Sequence, residues 1–167
     1  MYKFASQFVE GKLVLDVGCG TGYGSNYFMT KGAQYVYAID NSEEALDYAH
    51  KNFPNHRLLY FLMDAQELEF PDETFDIVFS SENIEHLQNP EKNIANIRRV
   101  LKKEGILILG TPNKENFEPE SDKSSNPHHI KEFFYEELKI LLEKYFDSVY
   151  IFESSLPNPL KEKRRLT

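Results

Sequence analysis

The sequence contains little cysteine and few basic residues, and each shortage excludes some classes of protein. Its single cysteine, Cys19, excludes an intramolecular disulfide framework and favours a cytoplasmic protein. The 167 residues are enough for one domain, and they include no apolar run suited to a signal peptide or a membrane span. The 19 Lys and Arg residues against 27 Asp and Glu give a net charge of −8. Long nucleic acids and anionic membranes require a basic surface, so we expect neither as a partner.

Short apolar runs alternate with helical patterns along the chain. The apolar runs are LVLDV (13–17), YVYAID (35–40), RLLYFLMD (57–64), FDIVFS (75–80), ILILGT (106–111) and DSVYIFE (147–153). The helical patterns cover 23–31, 43–52, 91–103 and 134–145. Strands rich in Val, Ile and Leu that alternate with helices favour parallel pairing in a sheet covered on both faces. The sequence therefore predicts an α/β fold, a doubly wound and mostly parallel sheet with helices on both faces.

Two polar stretches interrupt this alternation. Pro112–Lys131 is long and has no hydrophobic period, and loops of this kind in compact domains are usually lids or binding loops. The end of the chain, SSLPNPLKEKRRLT (154–167), is rich in proline and basic residues, which indicates a solvated tail. We therefore expect one domain over 1–153, followed by a poorly ordered tail.

A glycine loop follows the first predicted strand. Gly18, Gly20 and Gly22 lie between this strand and the next helix, where a ligand approaches the backbone and free amides attract an anion. A dinucleotide fingerprint requires glycine where Tyr23 stands. A phosphate-binding P-loop requires a lysine, and neither Lys nor Arg occurs between Lys12 and Lys31. The loop favours a smaller anion, such as an amino-acid carboxylate, beside a nucleoside.

Acidic residues end the next two predicted strands. Asp40 ends the second strand, where a carboxylate is placed to accept both hydroxyls of a ribose. A role as helix N-cap alone would be redundant with Asn41 and Ser42. Asp64 ends the third strand, where it would meet an adenine amino group while the Ala65 amide meets a ring nitrogen, although an ordinary aspartate at a loop start explains Asp64 equally well.

Four motifs in succession resemble those of class I S-adenosylmethionine-dependent methyltransferases of the small-molecule (type 11/23) kind. They are VLDVGCGTG (14–22), AIDNS (38–42), MDAQELEFPDETFDIVFSSENIEHL (63–87) and RRVLKKEGILILGTPN (98–113). The resemblance runs from about Phe4 to about Glu153, in the family's order and spacing. It implies a Rossmann-like methyltransferase sheet with S-adenosylmethionine as cofactor and S-adenosylhomocysteine as product.

The resemblance also assigns cofactor-binding residues. It places Asp16, Gly18, Gly20 and Gly22 around the methionine portion, Asp40 and Asn41 at the ribose, Asp64 and Ala65 at the adenine, and Ser81 near the sulfonium. Helices that usually cap the cofactor ahead of MYKFASQF are missing or shortened, and the last strand of the family's sheet would have to come from the proline-rich tail. A partner subunit would complete the cap, so a homodimer is one expectation.

Methyl transfer to a hydroxyl is helped by a base whose pKa lies near neutrality, and histidine meets this requirement. The candidates are His86, which follows the fourth strand, and His128 and His129 in the long loop. The segment NPHHIKEFFYEELKILLEKYF (126–146) further resembles methyltransferases found beside glycosyltransferases in polysaccharide pathways. We therefore expect a small-molecule acceptor such as a hydroxyl of a sugar or polysaccharide precursor.

The stretch SSENIEHL (80–87) allows a second chemistry. Its E-x-x-E-H spacing with a later histidine resembles the metal site of small-RNA 3′-end ribose methyltransferases and of some quinone-pathway O-methyltransferases. That resemblance implies Glu82, Glu85, His86 and either His128 or His129 as ligands of a divalent ion. Glu-His-Leu after the fourth strand is also widespread in relatives without metal, where it orients the wall of the active site. We predict the metal-free site, with His86 as a positioning or base residue.

Two further classes compete with a methyltransferase. A nicotinamide-linked oxidoreductase is disfavoured by Tyr23 in the glycine position and by the lack of a second catalytic domain. A cofactor-binding module without turnover stays open because the N-terminal cap is reduced.

Overall fold

The computed structural model describes residues 1–116 and 126–152, in which helices and strands alternate. The elements are α1 Tyr2–Ala5, β1 Leu13–Val17, α2 Tyr23–Thr30, β2 Tyr35–Asp40, α3 Glu43–Asn52, β3 Leu58–Leu62, β4 Phe75–Ser81, α4 Pro90–Val100, β5 Leu101–Gly110 and α5 Tyr135–Glu143. Short 3-10 turns lie at Ile84–His86 and Lys114–Asn116. None of these helices combines the length and the apolar character that crossing a membrane requires.

The strands form one parallel sheet in the order β3-β2-β1-β4-β5. Leu15 of β1 is in register with Tyr37 of β2 on one side and with Val78 of β4 on the other. The chain moves outward from β1 to β3 and then returns to the opposite side of β1 for β4. This reversal opens a crevice at the carboxyl ends of the central strands, which is where α/β sheets bind ligands.

Alternate side chains of each strand enter two separate cores. Val14 packs in a cluster with Phe28 of α2 and Ala49 of α3. The next residue, Leu15, packs in the other cluster with Ile94 of α4. Full burial of a residue such as Leu15 contributes roughly 1.5–3 kcal/mol, so both faces of the sheet stabilise the fold. The predicted doubly wound sheet with helices on both faces is confirmed.

The boundary between α4 and β5 differs from the prediction. A helix was expected over 91–103, but α4 ends at Val100 and the backbone of Leu101 is already extended. Leu101 pairs with Phe75 of β4 and is 1% exposed. The register shifts between Phe75 and Ile77, which accommodates the extra residues before Ile106. Pairing with β4 therefore outweighs the helical propensity of the Leu-Lys-Lys-Glu stretch.

The strand predicted over 147–153 is wrong for the part of the segment that the structure describes. Residues 147–152 are irregular, and Tyr150 and Phe152 are 80% and 77% exposed. Among the described strands β5 pairs only with β4, so the outer edge of β5 is open, but residues 147–152 do not pair with it, and an unpaired strand is not stable in water. The boundary at residue 153 and the predicted tail, 154–167, lie outside the described residues.

Candidate active site

A cavity of about 340 Å³ lies at the carboxyl ends of the strands, a volume in the range of small-ligand pockets. Its lining residues are Gly18, Gly20, Ile39, Asp40, Asn41, Met63, Asp64, Ala65, Glu82, Asn83, His86 and Leu87. These residues lie at, or just after, the carboxyl ends of β3, β2, β1 and β4, which are neighbours in the sheet in that order. The cavity therefore crosses four adjacent strand ends, and it brings together eight of the residues that the sequence singled out.

The glycine loop is tied to the neighbouring strand by its backbone. The amides of Gly18 and Cys19 both donate to the Ile39 carbonyl at 2.9 Å. A Cβ atom on Gly18 would lie 2.9 Å from Asn83 Oδ1, whereas a Cβ on Gly20 would enter open space. The loop thus lies close against the end of β4 at one glycine and leaves room for a ligand at the next.

Asp40 links the loop to the start of α3. Its Oδ2 accepts a hydrogen bond from the Gly20 amide at 2.7 Å, and its Oδ1 accepts one from the Ser42 amide at 2.9 Å. Ser42 in turn caps α3 by accepting from the Ala45 amide. Each carboxylate oxygen retains an acceptor site, because a carboxylate offers about four lone pairs. Asp40 is therefore held rigidly and still able to accept two hydroxyl groups.

Asp64 is oriented by a neighbour that the sequence analysis missed. The Gln66 amide donates to Asp64 Oδ1 at 2.8 Å, and the Gln66 side chain accepts from the Asn89 amide at 2.7 Å. The Ala65 carbonyl accepts from the buried Asn93 side chain at 2.7 Å. The first contact is an Asx turn, which the sequence D-A-Q at a strand end would permit. The other two contacts span 23 and 28 residues, and no local pattern indicates them.

Three residues assigned to the cofactor do not line the cavity. Asp16 is fully buried, and its carboxylate accepts hydrogen bonds from Ser25 Oγ at 2.6 Å and from the Tyr2 hydroxyl at 3.3 Å. Burial raises the pKa of Asp16 to about 7, and these two hydrogen bonds limit the rise. Gly22 lies against Ala49 and Tyr60 at the start of α2, and Ser81 pairs with Gly110. Asp16, Gly22 and Ser81 therefore support the residues around the cavity and do not form its surface.

The turn after β4 carries two carboxylates. Glu82 lines the cavity with a positive φ of 53°, and burial followed by the nearby Glu85 carboxylate raises its pKa. Glu85 is completely buried, and its Oε2 accepts from Thr111 Oγ1 at 2.9 Å. Its Oε1 has no hydrogen-bond partner in the described part of the chain. The Glu85 carbonyl accepts from the amides of Ile130 and Lys131, which fastens the end of the long loop to this turn.

The three histidine candidates have different surroundings. His86 lines the cavity, and its Nδ1 is 2.9 Å from the His128 carbonyl. Because a carbonyl only accepts, Nδ1 carries the proton and Nε2 of the neutral ring is left as an acceptor. His129 uses both ring nitrogens, one with Glu132 and one with Asn126, each at 2.9 Å. His128 has an exposed side chain and contributes its carbonyl.

One subset of the predicted metal ligands is close together. The donor atoms of Glu85, His86 and His129 all lie within 4.8 Å of one another. Two imidazoles and one carboxylate are a donor set that suits Zn, Fe or other first-row divalent ions. Glu82 and His128 do not belong to this group of three.

In the predicted lid, Pro112–Lys131, residues 117–125 lie outside the described part of the chain.

Comparison with known proteins decides the family. The family model for the methyltransferase domain matches residues 15–109, more than half of the chain. A Mycobacterium tuberculosis protein named "Probable S-adenosylmethionine-dependent methyltransferase" is 35% identical over 77% of this chain and 46% of its own length. The chain belongs to the S-adenosylmethionine-dependent methyltransferases. The predicted family, its cofactor S-adenosylmethionine and its enzyme class are thereby confirmed.

Two further proteins similar to this chain are also named methyltransferases. The ubiquinone biosynthesis O-methyltransferase of Coxiella burnetii is 35% identical over 64% of this chain and 46% of its own length. A solved S-adenosylmethionine-dependent methyltransferase from Aquifex aeolicus has a TM-score of 0.69 and 28% identity, covering 86% of this chain and 77% of its own. The methyltransferase chain spans about half the length of the curated relatives it matches.

Proposed function

We propose that this domain binds S-adenosylmethionine across the four strand ends and transfers the methyl group to a hydroxyl of a small-molecule acceptor. A sugar or polysaccharide precursor is the favoured class, on the resemblance of residues 126–146. The observation that carries the proposal is the cavity itself, because Asp40, the glycine loop and His86, whose Nδ1 is bonded to the His128 carbonyl, all line it.

The lining residues fit the parts of this cofactor in the order of the sheet. Asp64 and Ala65 would hold the adenine between the apolar side chains of Met63 and Leu87. The two Asp40 oxygens would accept the ribose hydroxyls, and the amides of the glycine loop would receive the carboxylate. The lining residues include three acids, Asp40, Asp64 and Glu82, and neither Lys nor Arg. An acidic lining favours a ligand that carries a net positive charge.

S-adenosylmethionine supplies an electrophilic methyl group on a cationic sulfur. The chain contributes alignment of the acceptor with that methyl group and removal of a proton from the acceptor hydroxyl. His86 is suited to the second role, since the bond from Nδ1 to the His128 carbonyl fixes its tautomer. With the Nδ1 proton held by that carbonyl, Nε2 is the ring nitrogen that would accept the proton. His129, with both nitrogens engaged, is suited to holding His86 in place by ring contact at 4.9 Å.

The test is methyl transfer from radiolabelled S-adenosylmethionine to a panel of methyl glycosides, catechols and primary amines. We expect His86→Ala to lower transfer by about 10²–10⁴-fold while the affinity for S-adenosylhomocysteine stays nearly intact. His56→Ala is the matched control, because His56 is exposed and precedes β3 at the opposite edge of the sheet. Tight cofactor binding without transfer to any acceptor would instead indicate a cofactor-binding module.

A second candidate is the same transfer assisted by a divalent metal. The buried Glu85 carboxylate favours it, since its Oε1 has no partner among the described residues and one of its oxygens lies within 4.8 Å of donor atoms of His86 and His129. A metal there would lower the pKa of a bound hydroxyl, although His129 would first have to release Asn126 or Glu132. We expect EDTA to have little effect on transfer. Full loss of activity with EDTA, restored by magnesium or manganese, would favour the metal-assisted reaction.

A further inference from the structure

Two residues other than glycine adopt a positive φ in the described part of the chain. They are Glu73, at 50°, and Glu82, at 53°. This left-handed conformation brings Cβ close to the backbone carbonyl and is unfavourable for residues with a side chain. Strained residues other than glycine persist where a turn or a function requires them. The two glutamates therefore need separate explanations.

Glu73 belongs to a turn at the amino end of β4, at the end of the sheet opposite the cavity. It lies two residues before β4, and its amide donates to the Arg99 carbonyl at 3.0 Å. The adjacent Thr74 hydroxyl closes the turn by donating to the Pro71 carbonyl at 2.7 Å. The Glu73 side chain is exposed to solvent. Its conformation is explained by the turn alone.

Glu82 lies at the other end of β4, on the cavity. Its amide extends the ladder by donating to the Gly110 carbonyl at 2.9 Å, and the chain then bends into the 3-10 turn Ile84–His86. Glycine would make this bend without strain. The Glu82 carboxylate forms no hydrogen bond or ion pair with any described residue, and the ionisable groups near enough to act on it are Glu85, His129, His86 and the N-terminus. What the carboxylate does contribute is a negative charge on the cavity wall.

The order of the strands places this charge at one end of the cavity. Asp64 and Asp40 follow β3 and β2 on one side of the glycine loop, and Glu82 follows β4 on the other side. If the nucleoside lies on Asp40 and Asp64, the reacting end of the cofactor must point towards β4. His86, the base of the proposed function, lines the same end.

We propose that Glu82 is a specificity-determining residue whose carboxylate accepts a hydrogen bond from a hydroxyl or ammonium group at the reacting end of the cavity. This inference rests on the proposed function. It defines the acceptor as neutral or cationic, with a hydrogen-bond donor beside the methylated atom. Acceptors with a carboxylate or phosphate at that position are repelled.

The test uses two cofactor analogues and requires no acceptor. Sinefungin carries an amine in place of the sulfonium methyl group, and S-adenosylhomocysteine carries nothing there. Calorimetry should show that the wild-type chain prefers sinefungin, and that Glu82→Gln and Glu82→Gly each reduce this preference about tenfold. The affinity for S-adenosylhomocysteine should change less than twofold in both variants.

Glu73→Gly is the matched control for the backbone. It relieves the same conformation far from the cavity and should leave both affinities unchanged. Neither glycine variant should lower the unfolding midpoint, because strain relief offsets the added freedom of the unfolded chain. If the unfolding midpoint of Glu82→Gly is not lowered, any loss of sinefungin binding comes from the missing carboxylate.

Three results would overturn the inference. An unchanged preference in Glu82→Gln and Glu82→Gly would show that the carboxylate does not face the reacting end. Disappearance of the wild-type preference on addition of EDTA would make Glu82 a metal ligand instead. Failure of the wild-type chain to bind S-adenosylhomocysteine at all would refute the proposed function, and this inference with it.

Discussion

The two ends of the cavity are built in different ways. At the nucleoside end, Asp40 and Asp64 are held by backbone amides of Ser42 and Gln66, each two residues away, and by the Gly20 amide on the adjacent loop. At the reacting end, contacts join distant parts of the chain. Glu85 meets Thr111, 26 residues away, and His86 meets the His128 carbonyl, 42 residues away. The first end is fixed by local geometry, whereas the second depends on how a long loop returns to the sheet.

This difference suggests which parts of the site are free to vary. A local arrangement is preserved whenever the strand, loop and helix start are preserved, so one cofactor serves many chains of the family. An arrangement that depends on a returning loop changes with each insertion in that loop.

The largest expected effect concerns the glycine loop. In Gly22→Ala, a Cβ atom would lie 2.7 Å from both Ala49 Cβ and the Tyr60 hydroxyl, on a backbone with φ of 76°. Strain and overpacking together should lower the free energy of unfolding by about 3 kcal/mol. Gly20→Ala, whose Cβ enters open space, should lose only about 1 kcal/mol from its positive φ. Urea denaturation of the two variants measures the contrast, and equal losses would contradict the packing described for Gly22.

The sequence predicts the nucleoside end better than the reacting end for the same physical reason. The glycine loop and the strand-end acids Asp40 and Asp64 are short-range patterns, and the structure brings them to one cavity. The burial of Asp16 under Tyr2 and the engagement of both nitrogens of His129 arise from tertiary contacts that no local pattern encodes. The early start of β5 and the irregular segment 147–152 were mispredicted because strand pairing, not propensity, decides them.

A second variant removes the carboxylate at the nucleoside end. Asp40→Ala should weaken S-adenosylmethionine by about 1.5–3 kcal/mol, the magnitude of hydrogen bonds to a charged group. Asp47→Ala serves as control, because Asp47 is an exposed acid on α3. Calorimetric titration measures both affinities. If folded Asp40→Ala binds as tightly as the control, the ribose assignment fails.

A third experiment examines the buried acid behind the loop. Burial raises the pKa of Asp16 from 3.8 to about 7, so the folded state holds the proton more strongly than the unfolded state. The stabilisation from this proton is fully present below about pH 4 and is lost as the pH rises to 7. The free energy of unfolding of Asp16→Asn should not fall in this way, because asparagine does not titrate. Between pH 4.5 and 7.5, the free energy of unfolding of Asp16→Asn should rise relative to that of the wild type by on the order of 3 kcal/mol. Parallel curves for the two proteins would show that Asp16 titrates normally.

The smallest expected effect is a difference in amide hydrogen exchange between the two ends of the cavity. In the predicted lid, Pro112–Lys131, the amides of the described residues 113–116 and 126–131 should exchange with solvent faster than those of the sheet without ligand, and should slow when cofactor and acceptor are both bound. Thr111→Val removes the hydroxyl that donates to Glu85. The free energy of the local opening that exposes the amides of Ile130 and Lys131 should fall by about 1 kcal/mol, so these amides should exchange faster. Exchange at β2 should stay unchanged. Protection of the loop at sheet levels in both states would argue against a lid.

The central claim is that the cofactor crosses the strand ends from β3 to β4, and a crystal structure with S-adenosylhomocysteine tests it most directly. We expect the ribose hydroxyls on Asp40, the adenine beside Asp64 and Ala65, and the sulfur at the end of the cavity that Glu82 and His86 line. The reverse orientation, with the sulfur towards β3, or a ligand bound outside this cavity would contradict the account.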